Sequence, residues 1–117
     1  MSETRSELQP LDADQVKALQ QSASAAARLM KMLASEQRLV LLCRLSEGEV
    51  SAGELADYAG LAQSAASQHL AKLRDVGLVA TRRDAQTIYY RLVDEAALRV
   101  IGLLCEIYRD KKKRPRP

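Results

Sequence analysis

The chain has 117 residues, a formal net charge of +3, 47% hydrophobic residues, and neither Phe nor Trp. That is room for one compact domain with a core of Leu, Val, Ile and Ala, which suits packed helices; at this size, sharing a core with a second copy is a route to stability. No apolar run approaches the roughly 20 residues needed to cross a bilayer, and no charged-then-apolar leader is present, so membrane insertion is not expected and a cytoplasmic location is. Two cysteines in such a compartment are expected as free thiols rather than as a structural staple.

Residues 1–11 are polar, contain Pro10 and lack periodicity, which reads as a flexible lead-in to a single domain over residues 12–110. From about Asp12, Val16, Leu19, Ala23, Ala26, Ala27, Met30 and Leu33 recur at helical spacing. This alanine-rich stripe lets another helix approach closely and suits a dimer contact. A second helix opens at Ser35, a good N-cap, with Glu36 in the first turn; Leu39, Leu42, Cys43 and Leu45 form its apolar face and Gly48 closes it. Ser51 and Glu54 form a capping box for a third helix through Leu55, Ala56 and Ala59, stopped at Gly60.

A fourth helix begins near Gln63, turns Ala66, Leu70 and Leu73 inward and ends before Gly77. Ala62 is a poor N-cap, leaving Gln63 or Ser64 as alternatives. The period then changes. Leu78 to Arg83 and Thr87 to Leu92 are strand-like runs joined by Asp84, Ala85 and Gln86, a connection short enough for a hairpin. Glu95 to Tyr108 is helical again, with Ala97, Leu98, Ile101, Leu104, Cys105 and Tyr108 on one side. The fold class is therefore mainly α with a small β-hairpin, in the order of a winged helix-turn-helix, and no internal repeat is present.

Charge is distributed unevenly along this order. The first fifteen residues hold four acidic side chains against one basic, residues 61–92 hold five basic against two acidic, and the end from Arg109 holds six basic against one acidic. A basic middle and a basic tail over 111–117 suggest a polyanionic partner. In a helix-turn-helix the second helix lies in the major groove. Gly60 supplies the turn, Leu61 plugs the junction, and the outward set is Gln63, Ser64, Ser67, Gln68, Lys72 and, further along, Arg74. Amide, hydroxyl and basic side chains suit base edges and phosphates. Arg82, Arg83 and Gln86 near the hairpin tip are placed to reach the sugar-phosphate backbone or a flanking minor groove. Any exposed helix carries Gln, Ser and Lys, and any hairpin tip carries Arg; the combination of the two motifs in immediate succession is what is specific.

The run Ser64-Ala-Ala-Ser67-Gln-His69-Leu70-Ala-Lys-Leu73-Arg-Asp-Val-Gly77-Leu78-Val79 resembles the recognition-helix signature of the ArsR/SmtB repressors, and Asp84-Ala-Gln-Thr-Ile-Tyr89-Tyr90-Arg91-Leu92 resembles their wing. The resemblance spans about Ala27 to Tyr108. It implies a homodimer joined through the first and last helices, repression by binding double-stranded operator DNA, and release by an inducer. Within it, His69 is a conformational or phosphate-side residue beside the Leu70 anchor.

Metal sensing is not expected. The stretch that carries cysteines in some members reads Val50-Ser51-Ala52-Gly53-Glu54-Leu55, and the last helix offers Asp94, Glu95 and Glu106 but no His. A soft or borderline metal needs thiolate or imidazole donors, so neither a metal nor another cofactor is expected. The sequence is closer to the thiol-based branch of the family, the HlyU, BigR and SqrR types. Cys43 matches that branch's first cysteine, while the slot of the second, after an aromatic matching Tyr108, is Arg109; the available thiol is Cys105, one turn earlier. One turn is about 5.4 Å along the axis, and a disulfide needs Cα atoms within roughly 7 Å, so the shift either breaks the pairing or changes which residue makes it. Arg44 beside Cys43 would favour its thiolate, although two cysteines on apolar helical faces are equally the expected small buried residues.

An enzyme is disfavoured, since the chain has no Gly-rich phosphate loop, no nucleophile paired with a base and one His. The competing readings are a winged-helix regulator without thiol sensing and a protein-interaction module on the same fold.

Overall fold

In a computed structural model of the chain, residues 9–113 are described, with side chains through position 108. Most of the expected lead-in, and the basic tail apart from helix backbone as far as Lys113, lie outside the described residues. The elements are α1 (Ala13–Leu33), α2 (Glu36–Leu45), β1 (Val50–Ser51), α3 (Ala52–Ala59), α4 (Gln63–Asp75), β2 (Val79–Asp84), β3 (Thr87–Leu92) and α5 (Glu95–Lys113). The chain divides into two compact units, residues 1–31 and residues 32–117.

The first unit holds all but the end of α1. Its start is fixed by a reciprocal cap: the Gln15 backbone N–H donates to Asp12 Oδ1 at 2.8 Å, and the Asp12 N–H donates to Gln15 Oε1 at 3.0 Å. This is the capping-box arrangement with Asp and Gln in the two roles. Of the apolar stripe, Val16, Leu19 and Met30 are exposed. Helical periodicity is present without burial of these three side chains among the described residues.

The second unit carries the core. Leu41, Leu42, Leu55, Leu70, Leu73 and Ile101 are fully buried. They come from α2, α3, α4 and α5, and at about 1.5–3 kcal/mol of burial per side chain this convergence holds the four helices together. Three of the four are started by a side-chain cap. Ser35 Oγ accepts the Arg38 N–H at 3.3 Å to cap α2, and Asp94 Oδ2 accepts the Ala97 N–H at 2.9 Å to cap α5. The Ser51–Glu54 capping box opens α3, with the Glu54 N–H on Ser51 Oγ at 3.2 Å. Ala62 occupies the N-cap of α4 with no side-chain cap bond, so neither Gln63 nor Ser64 takes over that role.

Three antiparallel strands lie in the order β1-β3-β2. The third strand, β1, is absent from the sequence expectation; it is two residues long, pairing Val50 with Tyr90 and Ser51 with Tyr89. The hairpin connection is also shorter than expected. Asp84 pairs with Thr87, leaving a loop of Ala85 and Gln86 alone, and Ala85 takes φ 58° to close it.

Only part of the α5 stripe is buried. Ala97, Ile101 and Cys105, at successive intervals of four, face the core, while Leu98 and Tyr108, expected beside them, are 42% and 63% exposed. Leu98 sits at the edge of the stripe, and Tyr108 lies beyond Cys105, the last buried residue of α5 among those described. Among the described residues no helix is long and apolar enough to cross a membrane.

Candidate nucleic-acid interface and cysteine pair

Helices α3 and α4 meet at a tight corner. Gly60 takes φ 66° and ψ 34°, the left-handed region that glycine enters without steric cost. The Leu61 N–H then donates to the Ala56 carbonyl at 2.9 Å, closing the end of α3. Beyond the corner, Ala66, Leu70 and Leu73 hold α4 against the core. The helix therefore has a fixed orientation and a fixed outward face.

On that face Gln63, Ser64, Ser67, Gln68 and Lys72 are all exposed, as is Arg74. Their side chains make no hydrogen bond or ion pair among the described residues. His69 is half-buried between this face and the Leu70 side. Lys72 and Arg74 stand in the last turn, where positive charge also suits the helix dipole.

The hairpin follows α4 through Gly77 at φ 83°. Its register sorts the wing by face, because paired residues across antiparallel strands point the same way. Thr81 pairs with the buried Tyr90, and Arg83 pairs with Ile88 on that same side, farther out. Arg82 pairs with Tyr89 and Ala80 with Arg91 on the opposite side. Arg83, Gln86 and Arg91 are exposed with no side-chain bond among the described residues.

Arg82 is different. Its Nε lies 3.0 and 2.9 Å from the two carboxylate oxygens of Glu49, its Nη2 lies 2.9 Å from Glu49 Oε1, and its guanidinium stacks 4.4 Å from the centre of the Tyr89 ring. The hydrogen bond from Arg82 holds the Glu49 carboxyl below its ordinary range, with the charges of Arg82 and Arg91 acting in the same direction, and the Glu49 hydrogen bond raises Arg82 in turn. In the sequence Arg82 and Arg83 look alike, and nothing local marks Glu49 or Tyr89 as their partners. The signal lay in the hairpin register: a two-residue loop sets Arg82 opposite Tyr89, whereas a three-residue loop does not.

The two cysteines come together. Cys43 on α2 and Cys105 on α5 are joined as a disulfide with Cα atoms 6.2 Å apart, inside the usual range. Both cysteines are thus paired, contrary to the free thiols expected from composition: the packing of α2 on α5 places the two sulfurs within bonding reach of each other. The shift of one turn from the Arg109 slot does not break the pairing. The bond flanks an open cavity of about 620 Å³ lined by Leu39, Val40, Tyr58, Leu104 and Tyr108, giving the sulfurs an apolar mouth. Arg44, expected to act on the neighbouring thiol, directs its guanidinium to Glu47 at 3.7 Å. Among the described residues no group of His, Cys, Asp and Glu is assembled to hold a metal ion.

This arrangement has close counterparts. The profile of the bacterial regulatory protein, arsR family, matches residues 35–81, which run from the α2 cap into β2. The nodulation protein NolR of Rhizobium meliloti is 48% identical over 90 residues, covering 77% of this chain and 74% of that protein. The biofilm growth-associated repressor of Agrobacterium fabrum is 42% identical over 101 residues, covering 85% and 86%. The structure of reduced HlyU from Vibrio cholerae superposes with a TM-score of 0.76 at 43% identity, covering 79% of this chain and 97% of that one. With the matching sequence and a helix-turn-helix followed by a β-hairpin wing, the chain belongs to the ArsR family of bacterial transcriptional regulators.

Proposed function

We propose that the chain is a homodimeric repressor that binds double-stranded operator DNA through α4 and the wing and releases it when Cys43 and Cys105 are oxidised. One observation carries the DNA reading. A rigidly anchored helix presents Gln63, Ser64, Ser67, Gln68 and Lys72 outward with no partner within the described chain, followed at once by a hairpin that exposes Arg83 and Gln86. Gln68 and Gln63 suit base edges, Lys72, Arg83 and the hydroxyls suit phosphates, and half-buried His69 supports the helix from beside Leu70. Repression follows the named activity of the Agrobacterium relative. Dimerisation is supported by the apolar side chains left exposed on α1 (Val16, Leu19, Met30) and, separately, on α5 (Leu98, Leu103, Ile107). A cytoplasmic site of action goes with this role.

The switch is chemically simple. Two thiols give up two electrons and two protons to a two-electron oxidant, a peroxide or a persulfide, and one S–S bond ties α2 to α5. Because α2 packs on α3 and α4, a constraint there bears on the angle of the reading helix.

The test is binding of duplexes selected by the reduced protein from a random-sequence pool, followed by fluorescence anisotropy with protein reduced or oxidised. Oxidation is expected to weaken binding, and Cys43→Ser to remove that effect while leaving reduced-state affinity intact. An oxidant response unchanged in Cys43→Ser would sink the thiol switch. Affinity indifferent to salt would sink the DNA reading and favour the interaction module, since phosphate contacts release counterions.

A further inference from the structure

The wing carries two neighbouring arginines whose chemical situations differ. The edge of a guanidinium formed by Nε and one Nη is the fork that grips a carboxylate or a phosphate in bidentate fashion. On Arg82 that fork is filled: Nε contacts both oxygens of Glu49 and Nη2 contacts Oε1, all at 2.9 to 3.0 Å. The flat face of the same group lies on Tyr89, its cross-strand neighbour. On Arg83 the fork is open, and the residue points to the other side of the hairpin.

Glu49 occupies a telling position. It immediately precedes β1, which pairs with β3 at Tyr90 and Tyr89 and leads directly into the capping box of α3. The Glu49–Arg82–Tyr89 stack therefore ties the wing to the segment from which the helix-turn-helix begins.

We propose that Glu49 is a positioning residue that keeps Arg82 off the DNA backbone, so that Arg82 and Tyr89 brace the wing and Arg83 is its phosphate ligand. This rests on the DNA-binding reading. Transferring Arg82 to a phosphate would break three close contacts and leave the ring. It would also strand the Glu49 carboxylate, unpaired, beside a polyanion. Like charges would then oppose the move that freed the arginine, so the clamp resists the ligand that most resembles its own partner. Arg83 meets no such opposition.

The salt dependence of binding counts phosphates, at about 0.9 in the slope of log affinity against log salt for each one neutralised. The measurement uses duplexes selected by the wild-type chain from a random pool. Arg82→Gln on its own strands the Glu49 carboxylate beside the duplex and is not expected to steepen the slope, and Arg83→Gln is expected to flatten it by about 0.9 per protomer. Glu49→Gln is expected to steepen it by about 0.9 per protomer, because the released Arg82 acquires a phosphate. Glu49→Asp restores the wild-type slope by restoring the charge, and the Glu49→Gln/Arg82→Gln double variant returns to it by removing the freed cation. A merely structural role for the pair would shift both single variants in the same direction. A Glu49→Gln/Arg82→Gln double variant that stays flatter than wild type, or an unchanged slope in Glu49→Gln, overturns the proposal while the DNA reading stands. A wild-type chain that selects no duplex overturns both.

Discussion

Helix α4 and the wing are both exposed, both basic and adjacent in sequence, yet they are held in place in different ways. The outward side chains of α4 are uncommitted, and its inward side chains fix it to the core. The wing is anchored from its outer surface, where Arg82 is bound to Glu49 and laid on Tyr89. Exposure alone therefore does not measure availability: the same residue type, solvent-facing in both regions, is open to a ligand in one case and already occupied in the other.

The inner side of α4 should produce the largest effect. Leu70→Ala leaves a cavity at a fully buried position and should cost about 2–5 kcal/mol of unfolding free energy, read by chemical denaturation. A cost under about 1 kcal/mol would mean that this face does not anchor the helix. The outer side should separate stability from binding. Gln68→Ala should change stability by less than about 0.5 kcal/mol while weakening duplex binding by about 1–3 kcal/mol; equal losses in both assays would erase the distinction between the two faces of α4. Next comes the start of α3, where β1 leaves the sheet. Ser51→Ala removes the side-chain acceptor of the α3 capping box and should cost about 1 kcal/mol, with no change expected if the backbone there finds water instead.

The smallest effect belongs to the wing. Because Glu49 has a folded-state pKa below its ordinary value, the stability that its pairing contributes is present above the usual carboxylate range and is lost as pH falls through the lowered value, beneath 4.5. Carboxyl NMR titration should find Glu49 protonating below its ordinary range, and Arg82→Gln should move it upward. An unmoved titration in that variant would mean that the pair does not persist in solution.

Much of the architecture was legible in the sequence because it is written locally. Ser35, the Ser51–Glu54 pair, Gly60 and the Ala66–Leu70–Leu73 spacing each announce a helix boundary or a buried face within a few residues, and each is where it was expected. What escaped depends on distant partners. A two-residue strand such as Val50–Ser51 has no period to detect and exists only because β3 lies beside it. Arg82 looked like Arg83 because Glu49 is 33 positions away. The cysteine pairing could not be fixed from spacing, since one helical turn of displacement is compensated by how α5 packs on α2. The exposure of Leu98 and Tyr108 on α5 was likewise unreadable from periodicity, which identifies a stripe but not how far around and along the helix it is buried.

The bond between Cys43 and Cys105 spans 62 positions, and α3, α4 and both long strands all lie between its ends. Closing it converts the whole reading head into a covalent ring. Loop-closure entropy for a ring of that length favours the folded state by about 4 kcal/mol. In the proposed cycle, the form that has let go of DNA is thus the hardier one: a protease nick in the wing would leave its two halves still tethered, and heat would have to melt a circle rather than a line. The oxidised regulator would outlast the stress that silenced it, ready to be reopened by a reductant rather than made anew.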